Sequence, residues 1–168
     1  MGMSIETKNR RFAKLSRREK RVAVAKDVLK QLDAGSLKAS KGVYLALGRR
    51  GNVPLPQTAK ELQAHLLRRP CEACAIGAAF ASTVRLGNHL TAGAHFPDKD
   101  DLDNAGVFTN RQLDAMEMAY EQTTALSGNW MRADSDRIAA LYPRSMPRKA
   151  RLRAIFQNIV RNNGEFRP

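Results

Sequence analysis

Apolar positions recur at helical spacing in several separate stretches of the chain. Val22, Ala25, Val28, Leu29 and Leu32 mark one, Leu113, Met116 and Tyr120 another, and Leu152, Ile155, Phe156 and Ile159 a third. Polar start signals precede the helical stretches. Ser16-Arg17-Arg18-Glu19, Thr58-Ala59-Lys60-Glu61 and Thr109-Asn110-Arg111-Gln112 have the form of capping boxes, in which the first and fourth side chains satisfy backbone N–H groups of a first helical turn. The Thr58 box opens a helix carrying Leu62 and Leu66. Gly35, Gly128 and Gly164 stand where helices should stop. A shorter helix is predicted from about Asp134 to Leu141, ahead of Pro143, and the last begins near Pro147. The stretch from Gly42 to Leu47 is apolar but too short for periodicity to separate a strand from one helical turn. Gly48 to Pro56 reads as a loop, and Thr91 to Phe108 as a long connection.

The longest nearly uncharged run, Pro70 to Leu90, organises the rest. Ala73, Ala75, Ala78, Ala79, Ala81 and Ser82 are small, and Gly77 has no side chain, so neighbours can approach closely. Ile76, Phe80 and Val84 fall on one apolar line. Pro70 suits a first helical position and Glu72 a first turn. The run is too short and alanine-rich to cross a bilayer, and Arg85 and Asn88 interrupt it. Residues 1–15 show no sustained periodicity and read as a flexible basic arm. The expected fold is therefore mainly α. It is a single-domain bundle of about five or six helices over residues 16–168, packed around a small-residue central helix.

Composition fits this picture. At 168 residues and 43% hydrophobic, the chain can bury one core. A charged N-terminus with no apolar run behind it, and only two cysteines, point to a reducing, cytoplasmic setting. The net charge of +13 is uneven. Residues 1–30 hold ten Lys/Arg against three acids, residues 95–121 two against seven, and residues 144–168 seven against one. Basic ends of this kind call for a polyanionic partner, a nucleic acid or a nucleoprotein complex. Arg10, Arg11, Arg17, Arg18, Arg21, Arg144, Arg148, Lys149, Arg151 and Arg153 are the candidate phosphate contacts. They are expected to gather on one outer surface. Arg18 and Arg21 continue an apolar line backwards, so they should overhang the core with their heads in water. Tyr44, Trp130 and Tyr142 are too few to suggest sequence-specific reading of single strands.

Other chemistry has thinner support. Cys71 and Cys74 form a C-x-x-C at an expected helix start, where the helix dipole would lower a thiol pKa. A redox or nucleophilic role for Cys71 is the enzymatic alternative, but no βαβ setting and no orienting His–Asp pair accompany it. A metal held by Cys71, Cys74 and His65 would have three ligands, one short of a structural zinc site. No cofactor is expected. Asp98, Asp100, Asp101 and Asp103 do not complete a calcium loop, and read as an acidic segment able to dock on a basic protein surface.

The string Cys71-Glu72-Ala73-Cys74-Ala75-Ile76-Gly77-Ala78, continuing to Val84-Arg85, and the tail Asn158 to Phe166 resemble small helical proteins of tailed bacteriophages. The resemblance covers two short blocks and brings no activity with it. It implies a setting inside a bacterial host cell and tilts the expectation toward an accessory binder that modulates host machinery or defence. The alternatives are a protein–protein inhibitor acting through its acidic segment, and a cysteine-dependent enzyme.

Overall fold

A computed structural model describes residues 4–48, 56–87, 107–122 and 132–168. Among them are seven helices and one three-stranded sheet, so the fold is mainly α, as expected. In chain order the helices are α1 (Ile5–Lys14), α2 (Arg17–Asp33), α3 (Ala59–Arg68), α4 (Ala75–Gly87), α5 (Asn110–Glu121), α6 (Arg132–Leu141) and α7 (Arg148–Arg161). The strands are β1 (Leu37–Ala39), β2 (Leu45–Leu47) and β3 (Cys71–Ala73).

The capping boxes at Ser16 and Thr58 both form. The Ser16 hydroxyl accepts from the Glu19 N–H at 3.3 Å, and the Glu19 carboxylate accepts from the Ser16 N–H at 2.8 Å. Thr58 and Glu61 repeat the arrangement at the start of α3. At Thr109 the hydroxyl accepts from the Gln112 N–H. α2 ends as expected at Gly35, whose φ of +71° suits glycine. α5 stops earlier than the Gly128 expectation, at Gln122. Gln122 takes the left-handed conformation, and its side-chain amide donates to the carbonyls of Ala119 and Tyr142, which hold the chain end in place. Gly128 lies outside the described residues.

α4 is the spine. It packs against α1, α2, α3, α5 and the sheet, and only Arg85 and Leu86 escape full burial. It is shorter at its start than the sequence suggests. Residues 71–73 are the central strand of a sheet ordered β1-β3-β2, not a first helical turn. β3 runs parallel to β1, with Leu37 opposite Cys71, and antiparallel to β2, with Leu45 opposite Ala73. Pro70 decides the switch. A residue before proline avoids the helical region, and Arg69 is extended at φ −131°, ψ 149°. The backbone beyond it then finds partners on both sides. The Cys71 N–H donates to Ser36 at 2.9 Å, and the Cys74 N–H to Val43 at 2.7 Å.

The N-terminal segment also departs from expectation. Residues 5–14 are helical rather than an unstructured arm. The Ser4 hydroxyl caps the first turn by accepting from the Thr7 N–H, and Phe12 is buried. The Asn9 and Gln63 side-chain amides exchange hydrogen bonds at 2.8 and 3.4 Å, tying α1 to α3. One aromatic anchor and one amide pair are too sparse to produce a hydrophobic period.

α2 and α7 lie antiparallel. Arg18, at the start of α2, pairs with Glu165 just beyond α7 at 3.2 Å, while Asp33, at the end of α2, pairs with Arg153 near the start of α7 at 2.6 Å. Gly164 closes the first end tightly: a Cβ there would lie 2.6 Å from the Arg18 carbonyl oxygen.

Candidate nucleic-acid interface

Both cysteines are buried and held as neutral thiols. Cys71 sits on the central strand with its thiol buried, 8% exposed, and burial pushes its pKa from 9.0 up to about 11. Cys74, not Cys71, precedes the first turn of α4. Hydrogen bonds from the backbone of Gly77 and Ile76 favour its thiolate there, but burial outweighs them and its pKa is also raised. His65 lies on α3, partly buried, with its imidazole pKa lowered by burial and by Arg69. Among the described residues, no three His, Cys, Asp or Glu side chains gather as metal ligands.

Near pH ~8, Cys71 in the folded protein should react with a disulfide reagent roughly a hundredfold more slowly than in the urea-unfolded chain, because the thiolate is the nucleophile. The sign is that of a neutral group favoured by the fold. That preference is fully present below pH 9.0 and is lost as pH rises through about 11. Equal rates in the two states would contradict the buried placement.

The candidate phosphate contacts divide into three groups. Arg21 and Arg151 are corrections: they are 7% and 4% exposed, and are internal braces. The Arg21 Nε donates to the Val107 carbonyl at 2.5 Å, so its head is inside the protein and not in water. Arg151 donates to the carbonyls of Tyr120, Pro143 and Met146. Each lies on an apolar line because buried carbonyls at the end of that line need a donor. Arg18 and Arg153 form the second group, reaching the surface but already paired with carboxylates.

Arg10, Arg11, Arg17, Arg144, Arg148 and Lys149 are exposed and have no ion-pair partner among the described residues. They do not share one surface. Arg10, Arg11 and Arg17 stand at the α1–α2 junction, and Arg144, Arg148 and Lys149 at the start of α7. These are opposite ends of the antiparallel α2–α7 pair. α2 alone is 17 residues, about 25 Å long. The expectation of a single gathered patch is therefore corrected by the helix directions.

The first end has the more organised geometry. On α1, Asn9 and Phe12 face inward, and the opposite face carries Thr7, Arg10, Arg11 and Lys14 at i, i+3, i+4 and i+7. These four line an open groove of about 250 Å³. Lys20, from α2, places its ammonium 5.9 Å from the Phe12 ring centre, adding charge beneath the same helix. Between residues 4 and 20 there are seven Lys/Arg against Glu6 and Glu19. Thr7 and Lys14 were not among the sequence candidates, because the segment shows no hydrophobic period and reads as an arm.

Comparison with protein families, curated proteins and solved structures finds no match for this chain. The interface therefore rests on its own geometry. The acidic candidates Asp98, Asp100, Asp101 and Asp103 lie outside the described residues. No helix among the described residues is long and apolar enough to cross a membrane.

Proposed function

We propose that the protein binds nucleic acid through the outer face of α1 and the first turn of α2, by charge and not by catalysis. One observation carries the reading. Arg10, Arg11 and Lys14 share a helical face whose opposite side is fastened to the core, with no carboxylate paired to them among the described residues. Cations held this way can displace the counterions condensed on a phosphate backbone, which is the main source of sequence-independent affinity. The proposed setting is that of a phage-type accessory protein in a bacterial host, occupying nucleic acid or a nucleoprotein complex and so redirecting host functions, defence among them.

Fluorescence anisotropy with mixed-sequence DNA, between about 50 and about 200 mM salt, tests this. About two phosphates under Arg10, Arg11 and Lys14 and one under Arg17 give an expected log–log slope of roughly −3, at about 0.9 per phosphate. The triple variant R10Q/R11Q/K14Q should lose about tenfold or more in affinity and flatten that slope to about −1. The matched variant R144Q/R148Q/K149Q, at the far end of the α2–α7 pair, should bind nearly as the parent does. Unchanged binding by the first variant would remove the reading.

A further inference from the structure

We infer that the nucleic acid at this face is double-stranded, a conclusion that rests on the α1 reading above. Binders of single strands combine a cationic groove with aromatic side chains that stack successive bases, each stacked base adding affinity. Every aromatic ring among the described residues is buried or half-buried. Phe12, the one aromatic on α1, is turned into the core beneath Lys20. The groove beside Arg10, Arg11 and Lys14 is open and has no aromatic lining among the described residues, so a splayed base would find charge there and no stacking platform from them.

What the face does offer is a rigid row of cations. Arg10 to Lys14 spans about 6 Å of helix rise. A duplex strand presents one phosphate per roughly 3.4 Å of axis, so the row covers about two phosphates of a backbone already fixed in place. The row is fixed as well: Phe12 and the Asn9–Gln63 amide pair hold α1 against the bundle. A preformed array meeting a preformed array loses little conformational freedom, whereas a flexible strand must be ordered at each contact. Phosphates along one strand carry no base identity, so the face reads backbone shape and charge and not sequence.

The test uses the full chain and three labelled probes: a mixed-sequence DNA duplex, a GC-rich duplex and an oligothymidine strand of the same length. Anisotropy at one fixed salt concentration should show both duplexes bound alike, and each about tenfold tighter than the single strand. R10Q/R11Q/K14Q should erase most of that difference, with circular dichroism confirming that it is folded. Equal or tighter binding to oligothymidine would overturn the duplex assignment and leave the α1 reading standing. No binding to any probe would overturn both.

Discussion

Replacing Gly77 with alanine should destabilise the protein by ~3 kcal/mol or more, a large fraction of a typical domain's stability. The direction is what makes the result informative. In an exposed helix interior, glycine to alanine stabilises by about 1 kcal/mol, because alanine loses less backbone entropy. Gly77 lies in the third position of α4, where the chain before β2 crosses the helix. A Cβ built on Gly77 would overlap the Tyr44 carbonyl oxygen and would also meet the Ala73 side chain at 3.2 Å. Neither neighbour can yield cheaply. Tyr44 leads directly into β2, and Ala73 is on the central strand, paired with both β1 and β2. Gly35→Ala is the matched control. Its φ is +71° but no atom lies within 4 Å of its Cβ position, so it should cost only about 1–2 kcal/mol of backbone strain. Urea denaturation midpoints of the two variants against the parent measure the contrast. If G77A is as stable as the parent, the helix does not lie this close to the strand.

Gly77 also shows where local sequence signals reach their limit. Its lack of a side chain marked α4 as a helix that neighbours approach closely, and they do, yet the closest is a carbonyl leading into a strand. The capping boxes at Ser16 and Thr58 were readable because both partners lie three residues apart. The strand at Cys71 was not, because its identity depends on Leu37 and Leu45, tens of residues earlier, and those pairings override the local helical signal. α1 escaped notice for a related reason: its anchors are one Phe12 contact and the distant Gln63 amide. At the candidate interface the charge of Arg10, Arg11 and Arg17 was legible, but not the helix that sets Arg10, Arg11 and Lys14 on one face. Which cations are free was not. Arg18 is occupied by Glu165 and Arg153 by Asp33, pairs 147 and 120 residues apart in the chain.

Arg151 carries the second large expectation, and it separates a structural cation from a binding one. Its guanidinium donates to the Tyr120 carbonyl at 2.8 Å, to Pro143 at 2.8 Å and to Met146 at 3.1 Å. Tyr120 lies in the last turn of α5, whose carbonyls lack helical partners and carry the negative end of its dipole. The other two belong to the connection between α6 and α7. One planar fork therefore ties the end of one helix to the approach of another, which the shorter reach and single point charge of lysine cannot reproduce. Arg151→Ala leaves the Tyr120 and Met146 carbonyls to find new donors, Pro143 keeping the Met146 N–H at 2.9 Å, and should cost about 3 kcal/mol or more, with Arg151→Lys intermediate. Arg148→Ala, three residues earlier and exposed, should stay within about 0.5 kcal/mol of the parent. Denaturant titration of the three variants measures stability, and DNA anisotropy on the folded fraction measures binding. R151A should weaken the fold and leave the affinity of the folded protein unchanged. A stable R151A that binds DNA poorly would instead put this side chain at the surface, and the assignment of Arg151 as an internal brace would be wrong.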